Sequence, residues 1–144
     1  ACDLRTGSPS AFLVTNYVHL ALPGDYGISW LLTRLVGPAR AKEMMLLSER
    51  MDAARCLELG LLNWVFPEDE LLPRSIGIAR RIAEGPFEAT AAIKSNLEHA
   101  AVSTFQSALD LEAENMVAAA ATDEHREAVR AFVEKRRPAF HRNL

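Results

Sequence analysis

The segment PGDYG at residues 23–27 combines an acidic side chain with the backbone freedom that a binding turn requires. Its two glycines allow the chain to turn sharply and to approach a bound molecule closely. Asp25 stands where the next apolar run, residues 28–36, would begin a helix, and such a junction offers a carboxylate and free backbone N–H groups. Asp25 is therefore either a group that contacts a bound molecule or a side chain that caps the helix.

The elements on either side of this turn must position it. Residues 12–22 form an extended run in which both faces are mostly apolar, which predicts a strand covered on both sides. Residues 28–36 show helical spacing and end at Gly37-Pro38, after which residues 39–47 are predicted to form a further helix. The turn is thus predicted to join a strand to a helix.

Beyond these helices, almost every segment of the chain has a helical pattern. Asp52 is predicted to cap a helix that ends at Gly60, and Thr122 to cap a last helix over residues 125–136. Residues 2–8 are predicted to form a further short strand before residues 12–22. Two strands cannot close a core by themselves. We therefore expect the missing strands to precede Ala1 or to come from another chain.

The composition of the chain is typical of a globular protein and argues against nucleic acid or a membrane as its partner. With 144 residues, 49% of them hydrophobic and 24% charged, the chain can form one globular domain of ordinary size. The net charge of −3 without a basic block argues against nucleic acid, and no apolar run reaches the ~20 residues that span a membrane. The start lacks a signal-peptide pattern, and Cys2 and Cys56 match no metal spacing. We expect two reduced thiols in a cytoplasmic protein.

Several segments, in their order and spacing, resemble the enoyl-CoA hydratase/isomerase (crotonase) superfamily over the whole chain. They are ACDLR (1–5), PGDYG (23–27), LVGPARAKE (35–43), residues 53–62 with GLLN at 60–63, and AFVEKR (131–136) with Pro138 and Phe140. Each segment alone is a weak signal, so the assignment rests on all of them together.

The resemblance implies the fold class α/β, mostly α in this chain. It would be the C-terminal part of a crotonase-like ββα spiral followed by a helical trimerisation region. Residues 1–66 would form the end of the spiral core, with the active-site turn at 23–27, and residues 67–144 the helical oligomerisation region. The implied assembly is a homotrimer or a hexamer made of two trimers. The chain would then be roughly the second half of a complete member.

The same resemblance implies an enzyme that acts on an acyl-CoA thioester through an enolate, stabilised by an oxyanion hole of two backbone N–H groups. Both groups, and one of two catalytic glutamates, would lie before Ala1. No metal and no separate cofactor are implied, because coenzyme A is carried by the substrate. Hydration, isomerisation and thioester hydrolysis stay open. The alternative is a non-catalytic CoA-binding or oligomerisation protein that lacks the oxyanion hole.

Two residues are implied to be catalytic. Asn16 occupies the position of the second hydratase glutamate. Because an amide cannot act as an acid or a base, Asn16 either orients a water or a substrate carbonyl or satisfies a neighbouring backbone group. Asp25 is the replacement, since related dienoyl-CoA isomerases carry a catalytic aspartate in this turn, offset by about one residue. A carboxylate in a mostly apolar pocket has its pKa raised toward acid–base work, while helix capping stays open for Asp25.

Five further residues are implied to bind substrate. Tyr26 and Trp30 would line the acyl pocket, with the core as the other place for Trp30. Met116 falls where the family has an apolar residue near the adenine or acyl end. Lys135 matches a lysine that reaches coenzyme A, or is a surface lysine at a helix C-terminus. Phe132 is either a substrate contact or a core residue.

Overall fold

Six α-helices and four very short strands are distributed over residues 2–140, which the computed structural model describes. The helices are α1 (Ile28–Leu47), α2 (Ala53–Glu58), α3 (Leu71–Ala83), α4 (Phe87–Ala100), α5 (Phe105–Ala120) and α6 (Asp123–Val133). The strands are β1 (Thr6–Gly7), β2 (Phe12–Leu13), β3 (Met51–Asp52) and β4 (Trp64–Val65), and a 3₁₀ helix covers Val18–Leu20. This content confirms the mostly helical α/β prediction. Ala1 and residues 141–144, at the outer ends of the two predicted regions, lie outside the described residues.

The chain divides into two units, Ala1–Gly77 and Ile78–Leu144. In the first unit, β1 pairs with β4 in parallel, and β2 pairs with β3 in antiparallel orientation. Each sheet has two strands among the described residues. These short pairings connect neighbouring loop segments and do not form a sheet that could cover a core. The functional division between residues 1–66 and 67–144 stays a prediction.

The first unit has a small apolar core formed by α1, α2 and the loop after α2. Its buried members are Leu32, Ala41, Met44, Cys56 and Leu61. Asp52 caps α2 by accepting a hydrogen bond from the Arg55 N–H at 2.8 Å. Gly60 ends α2 with a φ of 73°, and the Leu61 N–H returns to the Cys56 carbonyl at 2.8 Å. Both predicted ends of this helix are confirmed.

Helix α1 is interrupted where the sequence predicts a break. Gly37 has φ 77° and ψ 163°, far from helical values, and Pro38 follows it. Glycine adopts this conformation without steric cost, and proline starts the next helical turn because its missing N–H needs no partner there. The two predicted helices, 28–36 and 39–47, are confirmed as the halves of one kinked element.

The strand predicted over residues 12–22 is wrong beyond its first two residues. Asn16 (φ 58°) and Ala21 (φ 55°) adopt left-handed backbone conformations that end an extended chain, and Val18–Leu20 between them forms the 3₁₀ helix. The three side chains of this helix are exposed, although the sequence predicts coverage on both faces. An apolar run of this kind does not identify a buried strand by periodicity alone. The turn at 23–27 therefore follows a 3₁₀ helix and not a strand.

In the second unit, polar side chains tie the helices to one another. The Asn115 side-chain N–H on α5 donates to the Asn96 side-chain oxygen on α4 at 2.5 Å. The Glu124 carboxylate on α6 accepts the N–H groups of Phe87 and Glu88 at 2.8 and 3.0 Å. Because the first N–H groups of a helix find no carbonyl partner inside that helix, the α6 carboxylate acts as a cap for α4 from outside it.

Helix α6 has the predicted cap but slightly different bounds. Thr122 accepts a hydrogen bond from the His125 N–H at 3.1 Å, which confirms it as the N-cap. The helix begins at Asp123 and ends at Val133, earlier than the predicted end at residue 136. Lys135 has a left-handed φ of 54°, so the helical path stops before it.

The helices and the two cysteines bear on the environment predicted for the chain. Within residues 2–140, no helix is both long enough and apolar enough to cross a membrane. Cys2 and Cys56 are free thiols, as predicted, with Cys2 exposed and Cys56 buried. Burial raises the pKa of the Cys56 thiol, which keeps it protonated and suits a core residue.

Candidate functional site

The backbone of the turn at residues 23–27 is largely in conformations with positive φ. Three of its residues have positive φ values, namely Gly24 (109°), Tyr26 (48°) and Gly27 (74°). Gly27 is the N-cap residue of α1 and makes no side-chain cap, and the Ile28 N–H donates to the Asp25 backbone carbonyl at 2.9 Å. The prediction that the Asp25 side chain caps the helix is therefore wrong. Its carboxylate projects from a fixed backbone and is available to other partners.

The Asp25 carboxylate has one hydrogen-bond partner among the described residues. The Tyr17 hydroxyl donates to Asp25 Oδ1 at 2.5 Å, and within residues 2–140 nothing donates to Oδ2. The hydrogen bond to Asp25 raises the pKa of the Tyr17 hydroxyl above its ordinary value, and partial desolvation adds to this effect. Asp25 is exposed, so the apolar enclosure predicted around it is not supplied by the described residues.

Tyr17 is the residue of this site that sequence analysis missed. A strand over residues 12–22 would carry Tyr17 away from the turn. Instead, the Leu22 N–H returns to the Tyr17 carbonyl at 3.0 Å, so the chain folds back and brings Tyr17 to Asp25. The available signal was an aromatic hydroxyl eight residues before an acid in a turn, which no periodicity rule selects.

Asn16 contributes its backbone rather than its amide to the described contacts. Its left-handed φ of 58° is a conformation in which asparagine is enriched. Its backbone N–H donates to the buried Ser48 Oγ at 2.6 Å, while the Thr15 hydroxyl donates to the Met44 carbonyl at 2.8 Å. Within residues 2–140 the Asn16 amide makes no hydrogen bond, so the suggestion that it satisfies a neighbouring backbone group is not supported there. A catalytic role for Asn16 stays a prediction.

Tyr26 and Trp30 flank the start of α1. Tyr26 is 95% exposed, and Trp30 is 52% exposed with the Arg34 guanidinium 3.6 Å from the centroid of its ring. The core as a place for Trp30 is therefore wrong in the described chain. Substrate contact by either aromatic residue stays a prediction.

The three substrate-binding candidates of the second unit all lie on its surface. Met116 on α5 is 71% exposed and Phe132 on α6 is 85% exposed. Lys135 lies just after α6 and is also exposed. The core interpretation of Phe132 is wrong within the described residues, because its side chain is almost fully accessible. Contacts of these three side chains with coenzyme A stay predictions.

A carboxylate with several donors fixes the backbone around Lys135. Arg136 donates to both oxygens of Glu127, at 2.6 and 3.0 Å, and the Ala139 N–H adds a third bond at 2.9 Å. These bonds, the two from Arg136 foremost, lower the pKa of Glu127 to about 2. The sequence gives no sign of this pair, because Glu127 lies nine residues before Arg136 and the two meet only after the chain turns at the end of α6.

Neither a metal cluster nor the groove of the first unit involves Asp25 within the described residues. No group of three or more His, Cys, Asp or Glu side chains in residues 2–140 is arranged to hold a metal ion. A groove of about 210 Å³ in the first unit is lined by residues between Glu43 and Arg55, and Asp25 is not among them. The chemistry that this chain can contribute at the turn is therefore that of the Tyr17–Asp25 pair.

Comparisons with known proteins agree over almost the whole chain. The family model for enoyl-CoA hydratase/isomerase matches residues 1–143. The chain is 33% identical to 1,2-epoxyphenylacetyl-CoA isomerase of Escherichia coli K12, over 96% of this chain and 53% of that protein. It is 30% identical to crotonyl-CoA hydratase of Syntrophomonas wolfei, over 96% of this chain and 54% of that protein.

The structural comparison agrees with the sequence comparison. Enoyl-CoA hydratase subunit I of Geobacillus kaustophilus matches with a TM-score of 0.93 at 31% identity, over 97% of this chain and 55% of that one. The crotonase-like fold predicted from the segment pattern is thus confirmed. The chain spans about half the length of the curated relatives it matches. With the family model, the relatives and the fold in agreement, the chain belongs to the enoyl-CoA hydratase/isomerase family.

Proposed function

We propose that this chain contributes Asp25 as the proton-transferring carboxylate of an enzyme that converts an unsaturated acyl-CoA thioester. The observation that carries the proposal is the state of that carboxylate. One oxygen is held by Tyr17 at 2.5 Å, and the other accepts no hydrogen bond within the described residues. Such a group has a fixed direction and a free lone pair, which are what a general base requires.

Isomerisation is the reaction that a single carboxylate serves best. Asp25 takes a proton from the α or γ carbon of the acyl chain, the thioester becomes an enolate, and the same proton returns to another carbon. The composition of the substrate is unchanged, so no water, oxidant or reductant is consumed. Hydration needs in addition a group that activates water, and the amide of Asn16 has no titratable proton for that task. A relative at 33% identity is named as an isomerase and one at 30% as a hydratase.

Coenzyme A recognition is proposed for the second unit. Lys135 would bind a phosphate as a point charge, and Met116 and Phe132 would contact the adenine or acyl end. Met116 is 71% exposed and Phe132 is 85% exposed, so both side chains are accessible to a ligand. A homotrimer or hexamer, a cytoplasmic location and the absence of any cofactor beyond the coenzyme A of the substrate are part of the same proposal.

The test is the Asp25→Asn variant of the protein as its gene encodes it. With trans-2- and trans-3-enoyl-CoA esters as substrates, we expect kcat to fall by ~10²–10⁴, as is typical when a general base is lost. Asp69→Asn is the matched control, since Asp69 is an exposed aspartate of the same unit. Product mass separates the reactions, because hydration adds one water and isomerisation adds nothing.

Two outcomes would contradict the proposal. Turnover of Asp25→Asn within about threefold of the parent would remove Asp25 from the chemistry. Binding of acyl-CoA esters by the parent without any turnover would instead favour the alternative of a non-catalytic CoA-binding or oligomerisation protein.

A further inference from the structure

We propose that Tyr17 is a positioning residue that aims the Asp25 carboxylate for proton transfer, an inference that rests on the proposed function of Asp25. The geometry consists of a phenol hydroxyl 2.5 Å from Asp25 Oδ1 and a second carboxylate oxygen without a described donor. A charge-assisted hydrogen bond of this kind is directional, so it selects one orientation of the carboxylate among those that an exposed side chain can adopt.

Tyr17 can serve this purpose because its own backbone is held from both sides. On the N-terminal side, the Asn16 N–H donates to Ser48 Oγ at 2.6 Å, which joins this segment to the end of α1. On the C-terminal side, the N–H groups of Leu20 and Leu22 both donate to the Tyr17 carbonyl at 3.0 Å. These hydrogen bonds hold the backbone segment from which the ring of Tyr17 projects toward Asp25.

The backbone of Asp25 takes part in the turn before α1. The flanking residues Gly24 and Tyr26 have φ values of 109° and 48°, and the Ile28 N–H binds the Asp25 carbonyl at 2.9 Å. What the backbone leaves undetermined is the direction of the carboxylate, because χ1 has three staggered minima and χ2 rotates over a broad range. The hydrogen bond from Tyr17 restricts that rotation and leaves Oδ2 as the oxygen that faces a substrate.

The hydroxyl of Tyr17 is a donor and does not itself exchange the substrate proton. Its pKa is raised by the bond to Asp25, so the phenol stays protonated throughout the neutral range. Because the phenol oxygen already carries its proton, it cannot take up a second one, so a proton collected by Asp25 is returned to the substrate and not passed to Tyr17. Tyr17 therefore acts through Asp25.

The experiment compares Tyr17→Phe, Asp25→Asn and the double variant in the protein as its gene encodes it. Tyr17→Phe keeps the ring and removes only the hydroxyl, and we expect kcat to fall about tenfold while KM changes less than about twofold. In the double variant, we expect activity within about twofold of Asp25→Asn, because there is then no carboxylate left to aim. Thr33→Val is the matched control, since it removes a hydroxyl of α1 that bonds only the Ser29 carbonyl.

The outcomes separate this inference from the proposed function. If Asp25→Asn is inactive and Tyr17→Phe keeps its kcat, the positioning role is overturned while Asp25 stays the base. If the Tyr17→Phe loss adds fully to that of Asp25→Asn, Tyr17 acts independently, which also overturns the role. If Asp25→Asn is fully active, the proposed function itself fails. Should Tyr17→Phe not fold, O-methyltyrosine at position 17 keeps the ring and the oxygen but has no proton to donate, and an unchanged kcat then overturns the inference.

Discussion

The two units of the chain each contain a carboxylate that is bonded to a side chain eight or nine residues away, and the two carboxylates are satisfied to different degrees. Asp25 in the first unit accepts one hydrogen bond, from the neutral hydroxyl of Tyr17. Glu127 in the second unit accepts three, two from the charged Arg136 and one from the Ala139 N–H.

On the proposed function, this difference separates a carboxylate that transfers protons from one that serves structure. The pKa of Glu127 is lowered to about 2, so the group is charged and saturated at neutral pH and a poor proton acceptor. Its bonds close the chain after α6 and fix the backbone that carries Lys135. Asp25 keeps one oxygen that accepts no hydrogen bond within residues 2–140. Full satisfaction gives stability, whereas partial satisfaction on a rigid support leaves a reactive group.

The largest effect that would test this contrast is the loss of the Glu127 interaction. Glu127→Gln keeps the size of the side chain and removes its charge, so we expect the melting temperature at neutral pH to fall by a few degrees. Since the pKa of Glu127 is depressed from 4.5 to about 2 on folding, its stabilising contribution is present above pH 4.5 and is lost as the pH falls through about 2. The difference from the parent should disappear over that interval.

The control for this measurement is Glu112→Gln, which neutralises an exposed glutamate on α5. Thermal unfolding followed by circular dichroism across this pH range measures both variants. A Glu127→Gln protein as stable as the parent at pH 7 would show that the three hydrogen bonds of Glu127 do not stabilise the fold. Glu127 could then no longer serve as the structural carboxylate in the comparison with Asp25.

The sequence predicted the elements more reliably than it predicted the contacts at the site. Asp52 and Gly60 mark the ends of α2 because capping and a positive φ are local requirements that residue type reveals. Tyr17 and Arg136 were not selected, because their partners become neighbours only after the chain reverses. The strand predicted over residues 12–22 was wrong for a similar reason. The apolar composition of this run does not reveal that the backbone of Asn16 has a left-handed conformation.

A smaller effect concerns the titration of Tyr17. The hydrogen bond to Asp25 raises the pKa of Tyr17 above 10.0, so Asp25→Asn should lower it toward that value. Tyrosinate absorbance measured against pH reports this, with the Tyr17→Phe protein subtracted and Tyr26→Phe as background to remove the neighbouring phenol. A Tyr17 pKa that is the same with and without the Asp25 carboxylate would contradict the hydrogen bond on which the positioning role depends.

The smallest expected change is that of Asn16→Gly. Glycine adopts the φ of 58° without steric cost and keeps the backbone N–H that binds Ser48, so the loop that carries Tyr17 should be preserved. We expect kcat within about threefold of the parent, because only the amide is lost and a lost acid or base would cost far more. Asn16→Ala is the matched contrast, since a Cβ in a left-handed conformation costs about 1 kcal/mol. A large loss of kcat in a stable Asn16→Gly protein would instead place the amide in the catalytic site, as the resemblance to the family implies for this position. The carboxylate of Asp25 would then share the chemistry with a second group.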